Sequence, residues 1–83
     1  MLRVRFFARI REVVGESQLE LPLSAETATL DALQASLGTR GEAWRGALTE
    51  ANLVRAVNHQ VVHGNTPLAE GDEVAFYPPV TGG

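Results

Sequence analysis

Hydrophobic and polar residues alternate from the first positions of the chain. In LRVRFFAR, Leu2, Val4, Phe6 and Ala8 fall on one face, and Arg3, Arg5, Phe7 and Arg9 on the other. A period of two is the mark of a half-buried strand. Ile10 to Val14 is read as a short helical turn stopped by Gly15. QLELPL returns as a strand with Leu19, Leu21 and Leu23 inward. Pro22 has no N–H to give to a ladder, which places this strand at a sheet edge.

The period then changes. Leu30, Leu33 and Leu37 recur at helical spacing behind Thr29, a good N-cap, with Asp31 near the positive end of the helix dipole and Gly38 as terminator. GEAWRGAL predicts a second short helix with Trp44 and Leu48 on one stripe, Trp44 serving packing. LVRAVNHQVV reads as two short strands around a tight turn at Asn58 to Gln60. Turns at Thr66-Pro67 and Gly71-Asp72 lead to a last strand, EVAFYP. It turns Val74 and Phe76 inward and Glu73, Ala75 and Tyr77 outward.

This order predicts an α+β domain, a mixed sheet of about five strands with helices on one face. Covering Val4, Phe6, Val74 and Phe76 with one leucine stripe is simplest if the two terminal strands are central neighbours. Residues 1–77 then form the domain and 78–83 an extended tail leaving from the middle of the sheet.

Composition narrows the function. A chain of 83 residues is too small for a core plus a deep private active-site cleft. The net charge of −3 and scattered arginines give no footprint for nucleic acid. With no signal-peptide pattern and no apolar run of membrane length, no membrane partner and a cytoplasmic location are expected. The sequence has no cysteine, excluding disulfides, thiolate nucleophiles and cysteine zinc sites. Every basic residue besides the histidines is arginine. The lack of lysine removes Schiff-base chemistry and leaves no internal ε-amine for an activated carboxyl to meet; a coding bias toward arginine accounts for it equally. His59 and His63 have no third ligand nearby, so no metal is expected. Glu70, Asp72 and Glu73 read as a solvated hairpin corner, and Thr81 lacks a fixed base to become a nucleophile.

The chemistry is expected in the tail, PPVTGG. Pro78 and Pro79 favour an extended path away from the sheet, and six residues span roughly 20 Å. Gly82 and Gly83 carry no Cβ, so this end can pass through a narrow channel and adopt whatever φ a partner's site demands. The Gly83 carboxylate becomes the candidate reacting group, activated as an acyl-adenylate by a partner that uses ATP. Terminal glycines are also common as simple frayed ends. Following a stiff Pro-Pro segment on a central strand, they deliver a carboxylate at a set distance.

GDEVAFYPPVTGG, with RFFARIREVVG at the start and AVNHQVV between, resembles the MoaD family of ubiquitin-like sulfur carriers, the small subunits of molybdopterin synthase. The resemblance runs essentially end to end. It implies a β-grasp fold and a cycle in which an E1-like enzyme adenylates Gly83, sulfur is installed, and the C-terminal thiocarboxylate donates it to cyclic pyranopterin monophosphate, building the molybdopterin dithiolene. It further implies no bound cofactor, a large subunit that completes the active site, and a heterotetramer of two small and two large subunits. Gly82 and Gly83 match the reactive end, and Pro78, Pro79, Val80 and Thr81 the segment threaded into the partner. Arg11 and Glu12 match a docking pair.

Strand parity adds one expectation of its own: Phe7, Ala75 and Tyr77 form an exposed apolar patch beside the tail root, a docking surface for both partners. Two other readings stay open, a carrier for a different sulfur product such as the thiamine thiazole, and a ubiquitin-like modifier or binding module.

Overall fold

The computed structural model of the chain describes residues 1–79. Its elements run β1 (Leu2–Phe6), α1 (Ala8–Val14), β2 (Gln18–Leu21), α2 (Leu30–Gly38), α3 (Glu42–Leu48), β3 (Val54–Val57), β4 (Gln60–Val61) and β5 (Glu73–Tyr77). The strands form one sheet in the order β2-β1-β5-β3-β4. β1 and β5 are parallel and the other neighbours antiparallel. A parallel pair needs a long crossover, and here nearly the whole chain between the two strands supplies it. The terminal strands are thus adjacent and internal, the arrangement the burial pattern made simplest.

Register decides what the sheet buries. Val4 pairs with Val74 and Phe6 with Phe76, and all four side chains are essentially inaccessible. The rings of Phe6 and Phe76 lie nearly parallel, 6.0 Å apart, and Trp44 meets Phe6 edge-on at 5.4 Å. Trp44 is therefore a packing residue. Leu30, Leu33 and Leu37 of α2, Ile10 of α1 and Leu48 of α3 close the same core, so all three helices cover one face. Burial of each large apolar side chain contributes about 1.5–3 kcal/mol.

The helix and turn signals operate locally. The Thr29 hydroxyl accepts the Ala32 N–H at 3.1 Å, satisfying one of the donors left free at a helix start. Thr29→Ala is expected to lower stability by about 1 kcal/mol, measured as a reduced urea midpoint with an unchanged slope. Gly15 ends α1 in the left-handed region, at φ 79°. Asn58 and His59 both take positive φ, 50° and 69°, as a two-residue hairpin turn demands. The Asn58 amide ties that turn to Asp72 and to the Glu73 N–H, each at 3.0 Å.

Three local expectations are corrected. Ala8 does not continue the inward face of β1; it is exposed and opens α1 at φ 53°. The chain has to swing at this point to bring Ile10 over the core, which also moves Arg9 from the strand to the helix. Leu23 is exposed instead of inward. The strand ends at Leu21, and the Pro22 carbonyl is taken by the buried Thr27 hydroxyl at 2.8 Å. Gly38 belongs to the last turn of α2. The helix is closed by Thr39 in the right-handed region, whose hydroxyl donates to the Ser36 carbonyl at 2.6 Å.

Candidate functional site

With helices on one side, the other face of the sheet is open. Paired residues share a face, so Arg5, Ala75, Ala56 and Val61 form one row across it, and Tyr77 with Val54 the next. Phe7 joins this face just beyond β1. Its backbone is still extended, at φ −125° and ψ 153°, and its N–H donates to the Phe76 carbonyl at 3.2 Å. The Phe7 ring stacks on Tyr77 with centroids 4.6 Å apart and planes 6° from parallel. The Arg5 guanidinium lies 5.0 Å from the Phe7 centroid, within cation–π range.

This stack stands at the tail root, because Tyr77 directly precedes Pro78 and Pro79, both half-buried. The left-handed Ala8 makes the arrangement possible. A non-glycine residue pays about 1–2 kcal/mol for that conformation, and here it lets Phe7 stay on the open face while Ile10, three residues later, enters the core.

Of the expected exposed patch, Phe7 and Tyr77 come together but are half-buried, and Ala75 is only 7% exposed. It lies on the central strand between the paired Arg5 and Ala56, with only a one-carbon side chain to rise from the sheet. Ala75 is the floor of the patch and not part of its rim. Arg11 and Glu12 are exposed on α1, with the Arg11 N–H one helical turn from the Phe7 carbonyl at 3.4 Å. Neither is drawn into the Phe7–Tyr77 stack. Val80, Thr81, Gly82 and Gly83 lie outside the described residues.

Val54 and Val61, which extend the apolar face, were missed by sequence reasoning. In VRAV the natural reading would turn Arg55 outward. Instead Arg55 pairs in register with the buried Phe76 and points to the helix side. It donates to Asp31, to Gln34 at 3.0 Å and to the Gly64 carbonyl at 2.9 Å. The parity is thereby inverted, leaving Val54 half-buried and Val61 exposed on the open face. The pattern VRAV-NH-QV held the signal, since Arg55 falls between two apolar positions of one face.

At the far end of the open face Glu73 is flanked by Arg3 at 3.6 Å, Arg5 at 3.9 Å and His59 at 3.5 Å. Such surface pairs are worth little singly, but they leave the tail-root end as the apolar end. A separate groove between α2, α3 and the start of β3, lined by Asp31, Gln34, Arg45, Leu48 and Arg55, shares no residue with the patch. Among the described residues no group of three or more His, Asp or Glu side chains is placed to hold a metal ion, and no helix is long and apolar enough to cross a membrane.

A five-stranded mixed sheet with parallel terminal strands at its centre, helices on one face and a proline-led tail beside an apolar open face defines a ubiquitin-like β-grasp protein. The chain belongs to the ThiS family, whose model matches residues 4–83. It is 43% identical to the molybdopterin synthase sulfur carrier subunit of Escherichia coli (strain K12), over all of both chains. It is 36% identical to small archaeal modifier protein 3 of Haloferax volcanii, across 99% of this chain and 98% of that one. The fold superposes with a TM-score of 0.69, at 29% identity, on a chain from the complex of subunits 1 and 2 of the molybdopterin-converting factor of Helicobacter pylori 26695, covering 99% of this chain and 97% of that one.

Proposed function

We propose that the protein is the sulfur carrier subunit of a molybdopterin synthase. The observation that carries this reading is the 43% identity to the Escherichia coli carrier, spanning every residue of both chains. The Helicobacter pylori complex of two subunits supports a large-subunit partner, and the apolar open face offers that partner a surface.

The chemistry follows from the Gly83 carboxylate. At neutral pH a carboxylate is a poor electrophile, so an E1-like enzyme spends ATP on it. A carboxylate oxygen attacks the α-phosphorus, pyrophosphate leaves, and an acyl-adenylate results. A sulfur nucleophile then attacks the carbonyl carbon and AMP leaves, giving a thiocarboxylate, which is ionised and nucleophilic near neutral pH. In this way a chain without cysteine carries sulfur. Its sulfur attacks a carbon of cyclic pyranopterin monophosphate held by the large subunit, the carbon–oxygen bond at that carbon breaks and the oxygen departs, and water then cleaves the acyl–sulfur bond, leaving the sulfur on the product and returning the carboxylate. The dithiolene holds two sulfurs, so two carriers act per product, in keeping with two small and two large subunits. Residues 78–83 act as the arm and residues 1–77 as the docking body.

A second reading is favoured by the 36% identity to a protein named as a modifier: transfer of the Gly83 carbonyl to an amine of another protein. Intact mass separates the two. After incubation with ATP, the adenylating enzyme and a sulfur source, a gain equal to sulfur minus oxygen is expected. A ladder of larger conjugates would replace the carrier by the modifier, and an unchanged mass would dismiss both.

A further inference from the structure

An activated carboxyl at the end of a chain is a hazard to the protein that bears it, because any amine or thiol on its own surface competes with the intended acceptor. This chain has seven Lys plus Arg residues, every one of them arginine, and no cysteine. A guanidinium stays protonated at any physiological pH and offers no free lone pair for attack. Serine and threonine hydroxyls are weak nucleophiles without a neighbouring base, and an acyl group taken up by an imidazole is returned to water.

One amine remains, that of Met1. It is ion-paired with Glu70, and the Met1 carbonyl accepts the Gly71 N–H at 3.2 Å, so the amino terminus is tied to the segment leading into β5. The arm leaves from the opposite end of that strand. Five residues of strand separate the two, roughly 16 Å, and the arm's full reach is roughly 20 Å. Its first two residues are prolines that favour a path away from the sheet.

We propose that this chain is an acyl donor with no side-chain acceptor of its own. Resting on the reading of Gly83 as the reacting group, the proposal adds that its activated carbonyl meets no side-chain amine or thiol on its own chain. A lysine would change this: its amine nitrogen would attack the carbonyl carbon, expel the leaving group, lose a proton to solvent and leave an amide. The same composition keeps copies joined through Gly83 from building ε-amine-linked chains on one another, because a second copy finds no ε-amine on the first.

The test installs the activated end chemically, so that it is independent of any adenylating enzyme. The full chain is prepared as a Gly83 thioester by intein cleavage, held at mildly alkaline pH, and followed by intact mass under denaturing conditions. The wild-type chain should give the hydrolysed acid and, with added butylamine, the butylamide. Arg9→Lys keeps the charge that pairs with Glu50 and places an amine two residues from Phe7. It should yield a species lighter than the acid by one water, or a covalent dimer, roughly ten-fold above wild type. The proposal is overturned if wild type forms such products as readily as Arg9→Lys, if Arg9→Lys forms none while butylamine reacts, or if butylamine goes unacylated. Failure of the carrier reading shows elsewhere, as the absence of the sulfur-for-oxygen gain with ATP and enzyme.

Discussion

Removal of Gly82 and Gly83 is expected to abolish sulfur transfer while leaving the fold untouched. The core residues lie between Leu2 and Phe76, so the shortened chain should melt with the wild type. It should nevertheless gain no sulfur with ATP and the adenylating enzyme, and dithiolene formation should fall at least about a thousand-fold. Losing both the reacting group and its placement in the partner's site forfeits effective molarities worth that much or more. Binding to the large subunit should survive in part, since the open face remains. Dithiolene formed by the truncated chain at the normal rate would end the carrier reading.

Phe7→Asp should weaken the complexes with the large subunit and with the adenylating enzyme together, each by about 2 kcal/mol or roughly thirty-fold. The Phe7 ring lies outside the core cluster and stacks on Tyr77 at the tail root. A carboxylate there removes apolar area from the centre of the patch and cannot be desolvated cheaply under a partner. Arg5, whose guanidinium lies over the ring, would be left to pair with the new charge, which keeps the free protein folded. Calorimetric titration reads both affinities, and the thermal midpoint reads the fold. Phe7→Tyr keeps the stacked ring and should bind close to wild type. Equal affinity for Phe7→Asp and wild type would remove the patch from the docking surface.

The amino-acid order alone determined the elements and their partners in the core. Val4 with Phe6 and Val74 with Phe76 share the cover of Leu30, Leu33 and Leu37 most simply if the terminal strands meet, and they do, in register. The caps at Thr29 and Gly15 and the turn at Asn58 were equally legible, because these residues act on their own backbone within a few residues, whereas α2 ends at Thr39 and not at the glycine read as its terminator. The open face was read in part. Alternation along one strand says which side a residue faces, not what its lateral neighbours are. Ala75 was assigned to the correct face, yet it is buried because the adjacent strands bring Arg5 and Ala56 alongside it.

Arg55 shows the opposite case. Charged side chains ordinarily face solvent, but α2 and the loop at Gly64 supply the acceptors that let it lie under the helices, and this turns Val54 toward the tail root. The bend at Ala8, too, has no local signal, since an alanine takes a left-handed φ only when packing on both sides requires it. Local rules act over a few bonds and are written in the chain. The cover over a side chain, and the partner for a charge, come from residues tens of positions away, and strand order and register bring them together.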